Sequence, residues 1–274
     1  MTKEEKIIPA ARYFMEVAFD GTDYNGWQWQ PDAVTVQEVI EKTLTQLYAG
    51  TKIAIIGSSR TDSGVHANAF AVSFSVPARP AITPFKLHGA LNNMLPDAIR
   101  IRSLKPVEPD FHARFDAKGK AYTYIINHGQ KSPFNNRYAL FSYQRLNVQA
   151  IREAAALLVG THDFSSFAVN NRQYKTTVRT IFRIEIQEFG DLICITFVGN
   201  GFLYKMIRCI IGTLLAVGIG KSSPTEVGAI LAAKERDAAH NTALPHGLFL
   251  MKVFYDESAM ENFKLKEIPF MHQL

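Results

Sequence analysis

Two stretches with β-strand patterns flank a short glycine-bounded loop, and this arrangement restricts how the chain can fold. Residues 52–56 are mostly apolar, and the run after the loop alternates large apolar side chains with smaller ones: Phe70, Val72, Phe74 and Val76. Because side chains on a strand alternate between its two faces, these four share one face. The sequence therefore predicts that residues 57–66, the Asp62 loop, join two strands of one sheet.

The rest of the chain also alternates strand-like and helix-like patterns. Thr35-Val36-Gln37-Glu38 has the pattern of a capping box, and Thr83-Pro84 has that of a helix start. Further helices are predicted near residues 148–158, 202–217 and 226–234, and further strands at residues 12–20, 99–107, 120–127, 176–188, 192–198 and 248–255. This mixture of elements indicates the α+β class.

The predicted elements divide into two similar halves without a long linker. We expect a loose leader at residues 1–11, an N-terminal α/β half at residues 12–109 and a C-terminal α/β half at residues 110–274. The two halves are expected to share an extended, mainly antiparallel sheet with helices on its outer face. The active site would lie in a cleft between the halves.

Size and composition favour a globular, water-soluble protein. Of the 274 residues, 47% are hydrophobic and 20% are charged. The longest apolar run, residues 209–219, is shorter than the roughly 20 residues that span a bilayer, and residues 1–6 are too polar for a signal peptide. We therefore expect a cytoplasmic protein without a membrane partner.

The cysteines and histidines do not have the spacing of a disulfide framework or a zinc site. Cys194 and Cys209 are the two cysteines, and the histidines are scattered singly along the chain. We expect both cysteines to be reduced residues of the core and no metal ion to be bound.

The net charge points to a polyanionic partner. The formal charge is +5 and the sequence pI is near 9.1. Several cations lie beside aromatic residues or in loops that a phosphate group could reach, among them Arg114, Lys120 and Arg179. For any one of these residues, an ordinary solvated surface is the alternative interpretation.

The Asp62 loop combines a carboxylate with nearby cations. Arg60 precedes Asp62 by two residues, and the predicted helix at residues 202–217 carries Lys205 and Arg208 on one side. A charge in an apolar helix is unfavourable unless it is paired, so we expect one of these cations to pair with Asp62. An ionised, partly desolvated carboxylate suits a nucleophile or a base. A polar turn and a structural ion pair are the alternatives.

Three other functions compete with this interpretation. Asp62-Ser63-Gly64 matches the tripeptide of aspartic proteases, but these enzymes need two such carboxylates and the sequence has one copy. A phosphate-binding loop is excluded because no Gly-Lys-Ser/Thr ending follows the glycine. A non-catalytic RNA-binding module of the same fold would explain the basic, aromatic-rich surface and stays open.

The Asp62 loop resembles the Gly-Ala-Gly-Arg-Thr-Asp-Ala-Gly-Val-His signature of the TruA-type tRNA pseudouridine synthases. Other blocks match in the same order: Asp20-Gly21-Thr22, Gly26-Trp27-Gln28, Thr35-Val36-Gln37, Phe111-His112-Ala113-Arg114, Lys120-Ala121-Tyr122-Thr123-Tyr124, Thr177-Val178-Arg179-Thr180-Ile181, Phe202-Leu203, Met206-Ile207-Arg208 and Gly247-Leu248. Together they run from about residue 12 to residue 255, so the resemblance covers most of the chain.

The resemblance implies the pseudouridine synthase fold and conversion of uridine to pseudouridine at positions 38 to 40 of the tRNA anticodon arm. It implies a homodimer with tRNA as its partner, and neither a cofactor nor a metal. Asp62 would be the catalytic carboxylate, but whether it acts on the ribose or on the base is left open.

The resemblance also gives roles to other residues. Tyr122 matches the active-site tyrosine, Arg60 the residue that fills the space of the flipped base, and Arg208 the basic partner of the aspartate. Lys205 stands where relatives often have His or Arg. Five residues are candidate RNA contacts: His66, Arg114, Lys120, Arg179 and Lys205.

The loop departs from the family signature at several positions, among them Ser59 and Ser63. Ser59 replaces its second glycine, and Ser63 replaces its alanine. A glycine can be required for positive φ or for close approach of another backbone, so these positions test how the loop is built.

Overall fold

The computed structural model describes residues 9–169 and 174–271. Cα packing divides the chain into two compact units, the first ending at Ala117 and the second beginning at Lys118. The boundary predicted near Pro109 falls in the connection between the same two strands, β4 and β5, whose bounds follow. In the described ranges, no helix is both long and apolar enough to cross a membrane.

The first unit is a small antiparallel sheet with two helices. Its elements are β1 (Pro9–Phe19), α1 (Val36–Leu47), β2 (Ile55–Gly57), β3 (His66–Pro77), α2 (Pro84–Met94) and β4 (Ile99–Val107). The strand order is β4-β1-β3, and β2 pairs with β3. The strand pair predicted around the Asp62 loop is therefore confirmed.

Both helices of this unit start where the sequence predicts. The Thr35 hydroxyl accepts a hydrogen bond from the Glu38 amide and starts α1. The Thr83 hydroxyl does the same for Lys86 at the start of α2, directly before Pro84.

Over its described residues, the second unit has a larger sheet and four α-helices. Its elements are β5 (Gly119–Asn127), β6 (Leu140–Phe141), α3 (Val148–Ala156), β7 (Gly160–Asp163), β8 (Val178–Phe189), β9 (Leu192–Gly199), α4 (Met206–Gly218), α5 (Glu226–Ala233), β10 (Leu248–Phe254) and α6 (Glu257–Glu261). The order β10-β5-β9-β8-β7 is antiparallel throughout, and β6 pairs in parallel with β5. The α+β class and the mainly antiparallel pairing are confirmed.

Three expectations about the elements need correction. The predicted leader is too long, because β1 begins at Pro9 and Ala11 pairs with Val76; residues 1–8 of that leader lie outside the described residues. The short strands β6 and β7 were not predicted, since runs of so few residues carry little periodicity. The helix predicted from residue 202 begins at Met206.

Candidate active site

The Asp62 loop is a tight turn between two paired strands. The Ser58 amide donates to the Ala71 carbonyl at 2.9 Å, which continues the pairing of β2 with β3. The Val65 amide donates to the Asp62 carbonyl at 3.1 Å and closes a β-turn with Gly64 in its third position. Gly64 has φ +77, which glycine adopts without strain. Asp62 therefore stands at the start of a fixed turn.

A second segment, residues 20–27, packs against the Asp62 loop, and we call it the bracing segment. The Tyr24 carbonyl accepts hydrogen bonds from the Ser63 hydroxyl at 3.2 Å and from the Gly64 amide at 3.4 Å. The Trp27 amide donates to the Thr61 carbonyl at 3.2 Å. The backbone on both sides of Asp62 is thus held by hydrogen bonds from one neighbouring segment.

Two glycines make this close packing possible. A side chain at Gly26 would overlap the Thr61 carbonyl oxygen and lie 3.1 Å from the Asp62 carbonyl carbon. Gly26 also has φ +80, where other residues are strained. A side chain at Gly21 would overlap the carbonyl group of Val65. Both glycines lie in blocks of the family resemblance, but local sequence patterns assign them no role, because their neighbours are distant along the chain.

Ser59 and Ser63, which depart from the family signature, fit the loop as it is built. Neither Ser59 nor Ser63 has a positive φ, so neither position requires glycine for its backbone conformation. The Ser63 hydroxyl donates to the Tyr24 carbonyl, a hydrogen bond that the alanine of the signature could not make. Serine at position 63 therefore adds a contact to the bracing segment.

His66 is buried beneath the loop, with 1% of its surface exposed. Its Nδ1 lies 3.1 Å from both the Gly21 amide and a carboxylate oxygen of Asp20. One ring nitrogen cannot accept from the amide and donate to the carboxylate at once, so the tautomer decides which bond forms. The expectation that His66 contacts RNA is not supported, because a side chain this buried offers no surface to a ligand.

Asp20 carries an ionised carboxylate next to His66. Burial by itself would raise the pKa of Asp20. The interaction with His66, together with hydrogen bonds from the hydroxyl and amide of Thr22, outweighs burial and holds that pKa well below its usual range. The pair of Asp20 and His66 therefore belongs to the support of the Asp62 loop.

Asp62 and the two residues before it differ in their exposure to solvent. Asp62 is half-buried, whereas Arg60 is exposed. The Thr61 hydroxyl is buried and has no hydrogen-bond partner among the described residues. A buried hydroxyl without a partner is unusual, and this one belongs to the residue directly before Asp62. No sequence pattern singled out Thr61.

Tyr122 lies in the middle of β5, in the second unit. It pairs with Phe197 of β9 and Leu250 of β10 and is 8% exposed. Its ring makes an edge-to-face contact with Phe202, with centroids 5.3 Å apart. Phe202 therefore packs against the Tyr122 ring, a contact that sequence reasoning missed because the two residues are distant along the chain.

Tyr124, two residues further along β5, has a structural role instead. It is fully buried, and its hydroxyl donates to the Leu244 carbonyl at 2.7 Å. Burial raises the pKa of Tyr124, and the nearby charge of Arg208 partly offsets that effect. Tyr124 thus stays neutral and ties the segment before β10 to the sheet.

Arg208 lies in the first turn of α4 and is half-buried. Its Nε donates to the Ala243 carbonyl at 2.8 Å, and the Ala243 amide donates to the Arg208 carbonyl at 3.0 Å. One bond therefore holds the guanidinium group of Arg208 and the other holds its backbone.

Lys205 does not lie inside α4, which corrects the expectation that it shares a helix face with Arg208. It is the N-cap residue and has φ +59. Its ammonium group lies 4.9 Å from the ring centroid of Tyr204. A left-handed conformation costs a lysine about 1–2 kcal/mol, and such strain is common at functional sites.

A second cation–aromatic pair stands beside the first. The guanidinium carbon of Arg179 lies 5.8 Å from the ring centroid of Tyr174, whose hydroxyl accepts from the Tyr204 amide at 2.8 Å. Burial lowers the pKa of Arg179, and Tyr174 partly offsets this. The hydrogen bond between Tyr204 and Tyr174 thus links the Arg179–Tyr174 pair to the Lys205–Tyr204 pair.

The remaining candidate RNA contacts lie in separate places. In the first unit, Arg114 is exposed, with its guanidinium carbon 5.8 Å from the ring centroid of Phe115. In the second unit, Lys120 is half-buried on β5, two residues before Tyr122. Both positions are compatible with contact to a ligand.

The structure thus assigns the predicted site residues to both units. Asp62 and Arg60 belong to the first unit, and Tyr122 and Arg208 belong to the second. The pairing of Asp62 with Arg208 stays a prediction. Over residues 9–169 and 174–271, no group of three or more His, Cys, Asp or Glu side chains could hold a metal ion.

Known proteins resemble this chain over most of its length. The family model described as tRNA pseudouridine synthase matches residues 15–116 and 154–256. The tRNA pseudouridine synthase A of Exiguobacterium sibiricum is 44% identical over 247 residues, which are 90% of this chain and 98% of the relative. That of Bacillus subtilis is 44% identical over 243 residues, 88% of this chain and 97% of the relative.

Among solved structures, the Cbf5-Nop10-Gar1 complex matches with a TM-score of 0.34 and 12% identity, covering 87% of this chain and 58% of that chain. The chain is assigned to a family by the extent of the family match and by its identity to two relatives that are covered almost completely. This protein belongs to the tRNA pseudouridine synthase family.

Proposed function

We propose that this protein converts uridine to pseudouridine in the anticodon arm of tRNA, at positions 38 to 40, with Asp62 as the essential carboxylate. The observation that carries the proposal is the construction of the Asp62 loop. Its turn is held by a bracing segment through backbone hydrogen bonds and two glycine contacts, and both segments match the family signature. A fixed backbone with a half-exposed carboxylate is what a preorganised reactive group requires.

The proposed reaction is an isomerisation and needs no external reactant. The bond between N1 of uracil and C1′ of ribose breaks, the uracil turns, and a bond forms between C5 and C1′. The proton on C5 is released, and N1 gains a proton. A carboxylate at the sugar or the base, and a pocket that retains the free uracil, are the groups that this chemistry needs.

Tyr122 and Arg60 are proposed to handle the flipped base. The ring of Tyr122, packed against Phe202, would stack on the uracil, and its hydroxyl would accept or relay the proton lost from C5. Arg60 is exposed and would fill the space that the uridine leaves in the RNA stack. Arg208 is proposed as the cation that pairs with Asp62.

Four cations are proposed to contact the RNA backbone: Arg114, Lys120, Arg179 and Lys205. Arg114, Arg179 and Lys205 each lie over an aromatic ring, which favours contact with both a phosphate and a base. We also propose that the protein acts as a homodimer in the cytoplasm, as the family resemblance implies. Neither a cofactor nor a metal takes part in the proposed reaction.

The test is turnover on an unmodified tRNA transcript carrying tritium at C5 of its uracils. The wild-type protein should release tritium and place pseudouridine at positions 38 to 40. Asp62→Asn should keep the wild-type melting temperature and release tritium at least about 1000-fold more slowly, because general-base or nucleophilic steps depend on the carboxylate. Asp237→Asn removes an exposed carboxylate elsewhere and should leave the rate unchanged.

Two outcomes would contradict the proposal. Tritium release by Asp62→Asn at a tenth of the wild-type rate or faster would remove Asp62 from its central role. Binding of the transcript by the wild-type protein without any pseudouridine would favour the RNA-binding module instead.

A further inference from the structure

Residues 131–145 present a surface of exposed aromatic and basic side chains that the proposed reaction does not use. Phe134 and Tyr143 are each 89% exposed. Lys131 and Arg145 are exposed beside them in the sequence. Large aromatic side chains left this open to water commonly mark a site of interaction. We call these residues the 131–145 surface.

The backbone of this surface is anchored, although several of its side chains are exposed. Leu140 and Phe141 form β6 and pair with Ile126 and Asn127 at the end of β5. Tyr138 stacks on Phe270, with ring centroids 5.5 Å apart. The exposed rings are therefore carried by a segment that is tied to the sheet.

Aromatic and cationic groups are in contact within the surface. Phe141 and Tyr143 meet edge to face with centroids 5.1 Å apart, and the Lys131 ammonium lies 6.0 Å from the Phe141 centroid. A ring beside a cation can stack on an unpaired base while the cation binds a neighbouring phosphate.

Among their acidic and basic side chains, residues 117–152 have only Lys and Arg as charged residues. No aspartate or glutamate occurs between residues 117 and 152, whereas six cations do: Lys118, Lys120, Lys131, Arg137, Arg145 and Arg152. Two carboxylates from outside this range lie against it: that of Asp191 packs against Gly129, and that of Glu188 pairs with Arg152 at 3.3 Å. A second copy of the same surface would bring like charges together, whereas a polyanion complements them.

We propose that the 131–145 surface binds RNA, with Tyr143 and Phe134 stacking on unpaired bases and Lys131 and Arg145 binding phosphates. The length of β5 from Tyr122 to Asn127 is about 17 Å at about 3.3 Å per residue. That distance corresponds to several nucleotides, so this surface would contact a part of the RNA away from the reacting uridine. The choice of tRNA as that RNA rests on the proposed function.

The experiment uses the full chain and an unmodified tRNA transcript. Binding is measured by filter retention at several salt concentrations, and turnover is measured in the same preparations. The double variant Phe134→Ala/Tyr143→Ala should weaken binding about tenfold or more, because stacking of each base on an aromatic ring contributes appreciably to affinity. Phe85→Ala is the matched control, since Phe85 is 88% exposed on α2 and lies beside Lys86. It should bind as the wild type does.

The basic residues are tested separately by the salt dependence of binding. Lys131→Ala/Arg145→Ala should lower the slope of log Kd against log salt concentration by about 0.7 for each phosphate group that the variant no longer binds. In turnover, both double variants should raise KM and leave kcat nearly unchanged, because the contacts are the same in the ground and transition states.

The outcomes separate this inference from the proposed function. Unchanged binding in both double variants would overturn the inference, even if the wild type makes pseudouridine. A reduced molecular mass of the aromatic double variant in light scattering, with RNA affinity unchanged, would assign the surface to self-association and overturn it as well. Weaker binding by the variants, together with no pseudouridine from the wild type, would uphold the inference and reject the function.

Discussion

The Asp62 loop and the segment of residues 199–208 both hold proposed site residues, but they do so by different means. In the loop, backbone atoms touch backbone atoms, with Gly21 and Gly26 leaving room for the carbonyl groups opposite them. In the second segment, backbone hydrogen bonds such as that from the Ala243 amide to the Arg208 carbonyl are joined by side-chain contacts: the Phe202 ring packs against Tyr122, and Lys205 lies over Tyr204. A backbone contact tolerates no added atom, whereas a side-chain contact can be partly replaced. The two regions should therefore respond differently to small substitutions.

Within this comparison, the largest effect is expected from Tyr122→Phe, which removes the hydroxyl of the β5 tyrosine that contacts Phe202 of residues 199–208. The variant keeps the ring and its edge-to-face contact with Phe202, so it should fold and bind tRNA normally. Loss of a proton-transfer group should slow turnover about 1000-fold. Single-turnover rates on a saturating tRNA transcript measure this loss.

Tyr124→Phe is the matched control on the same strand. It removes the hydrogen bond from a buried hydroxyl to the Leu244 carbonyl and should lower the free energy of unfolding by about 1 kcal/mol. Its rate should stay within about threefold of the wild type. If the two variants lost activity equally, the hydroxyl of Tyr122 would have no special part in the reaction.

The second-largest effect is expected from Gly26→Ala, which tests the backbone contacts of the Asp62 loop. Gly26→Ala should force the Thr61 carbonyl away and displace Asp62, and a shift of about 1 Å in a reactive group can cost about 100-fold in rate. The side chain at φ +80 should add about 1–2 kcal/mol of strain. Rate constants and chemical denaturation measure the two losses.

Gly50→Ala is the control that separates the effect of backbone strain from the effect of displacing Asp62. Gly50 has φ +87, but the position of an added methyl group has no atom within 4 Å. This variant should lose a similar 1–2 kcal/mol of stability, about the cost of a left-handed alanine, and keep full activity. A fully active Gly26→Ala would show that the bracing segment does not position Asp62.

The Asp62 loop is predictable from the sequence because its signals are local. The alternation from Phe70 to Val76 indicates β3, and the glycines indicate a turn. The role of the bracing segment is not predictable in this way, because the contact of Gly26 with Thr61 joins residues far apart in the chain. The place of His66 in the loop suggests an RNA contact, and only the fold shows that this residue is buried against Asp20.

The start of α4 shows where local signals mislead. Phe202, Leu203 and Met206 fit a helical stripe, yet the helix begins only at Met206. Lys205 adopts a left-handed conformation that no propensity would predict, and Tyr204 donates its amide to the Tyr174 hydroxyl. Contacts with distant residues thus override the periodicity.

A smaller effect is expected from Phe202→Ala, which tests the side-chain contact directly. The Tyr122 ring would lose its packing contact with Phe202 and sample other orientations, so turnover should fall about tenfold. Phe202→Leu keeps an apolar side chain of similar bulk and should recover most of the rate. A Phe202→Ala variant with wild-type kcat would show that the strand alone orients Tyr122.

The smallest effect is expected from Ser63→Ala, which restores the alanine of the family signature in the loop held by backbone contacts. It removes the hydrogen bond from the Ser63 hydroxyl to the Tyr24 carbonyl, but the Gly64 amide still donates to that carbonyl. Because Ser63 is exposed, the free energy of unfolding should fall by less than about 1 kcal/mol and turnover should change by less than about twofold. Ser63→Thr, which keeps the hydroxyl, should match the wild type. A tenfold loss in Ser63→Ala would mean that a side-chain contact is essential to the Asp62 loop, and the distinction between the two regions would then fail.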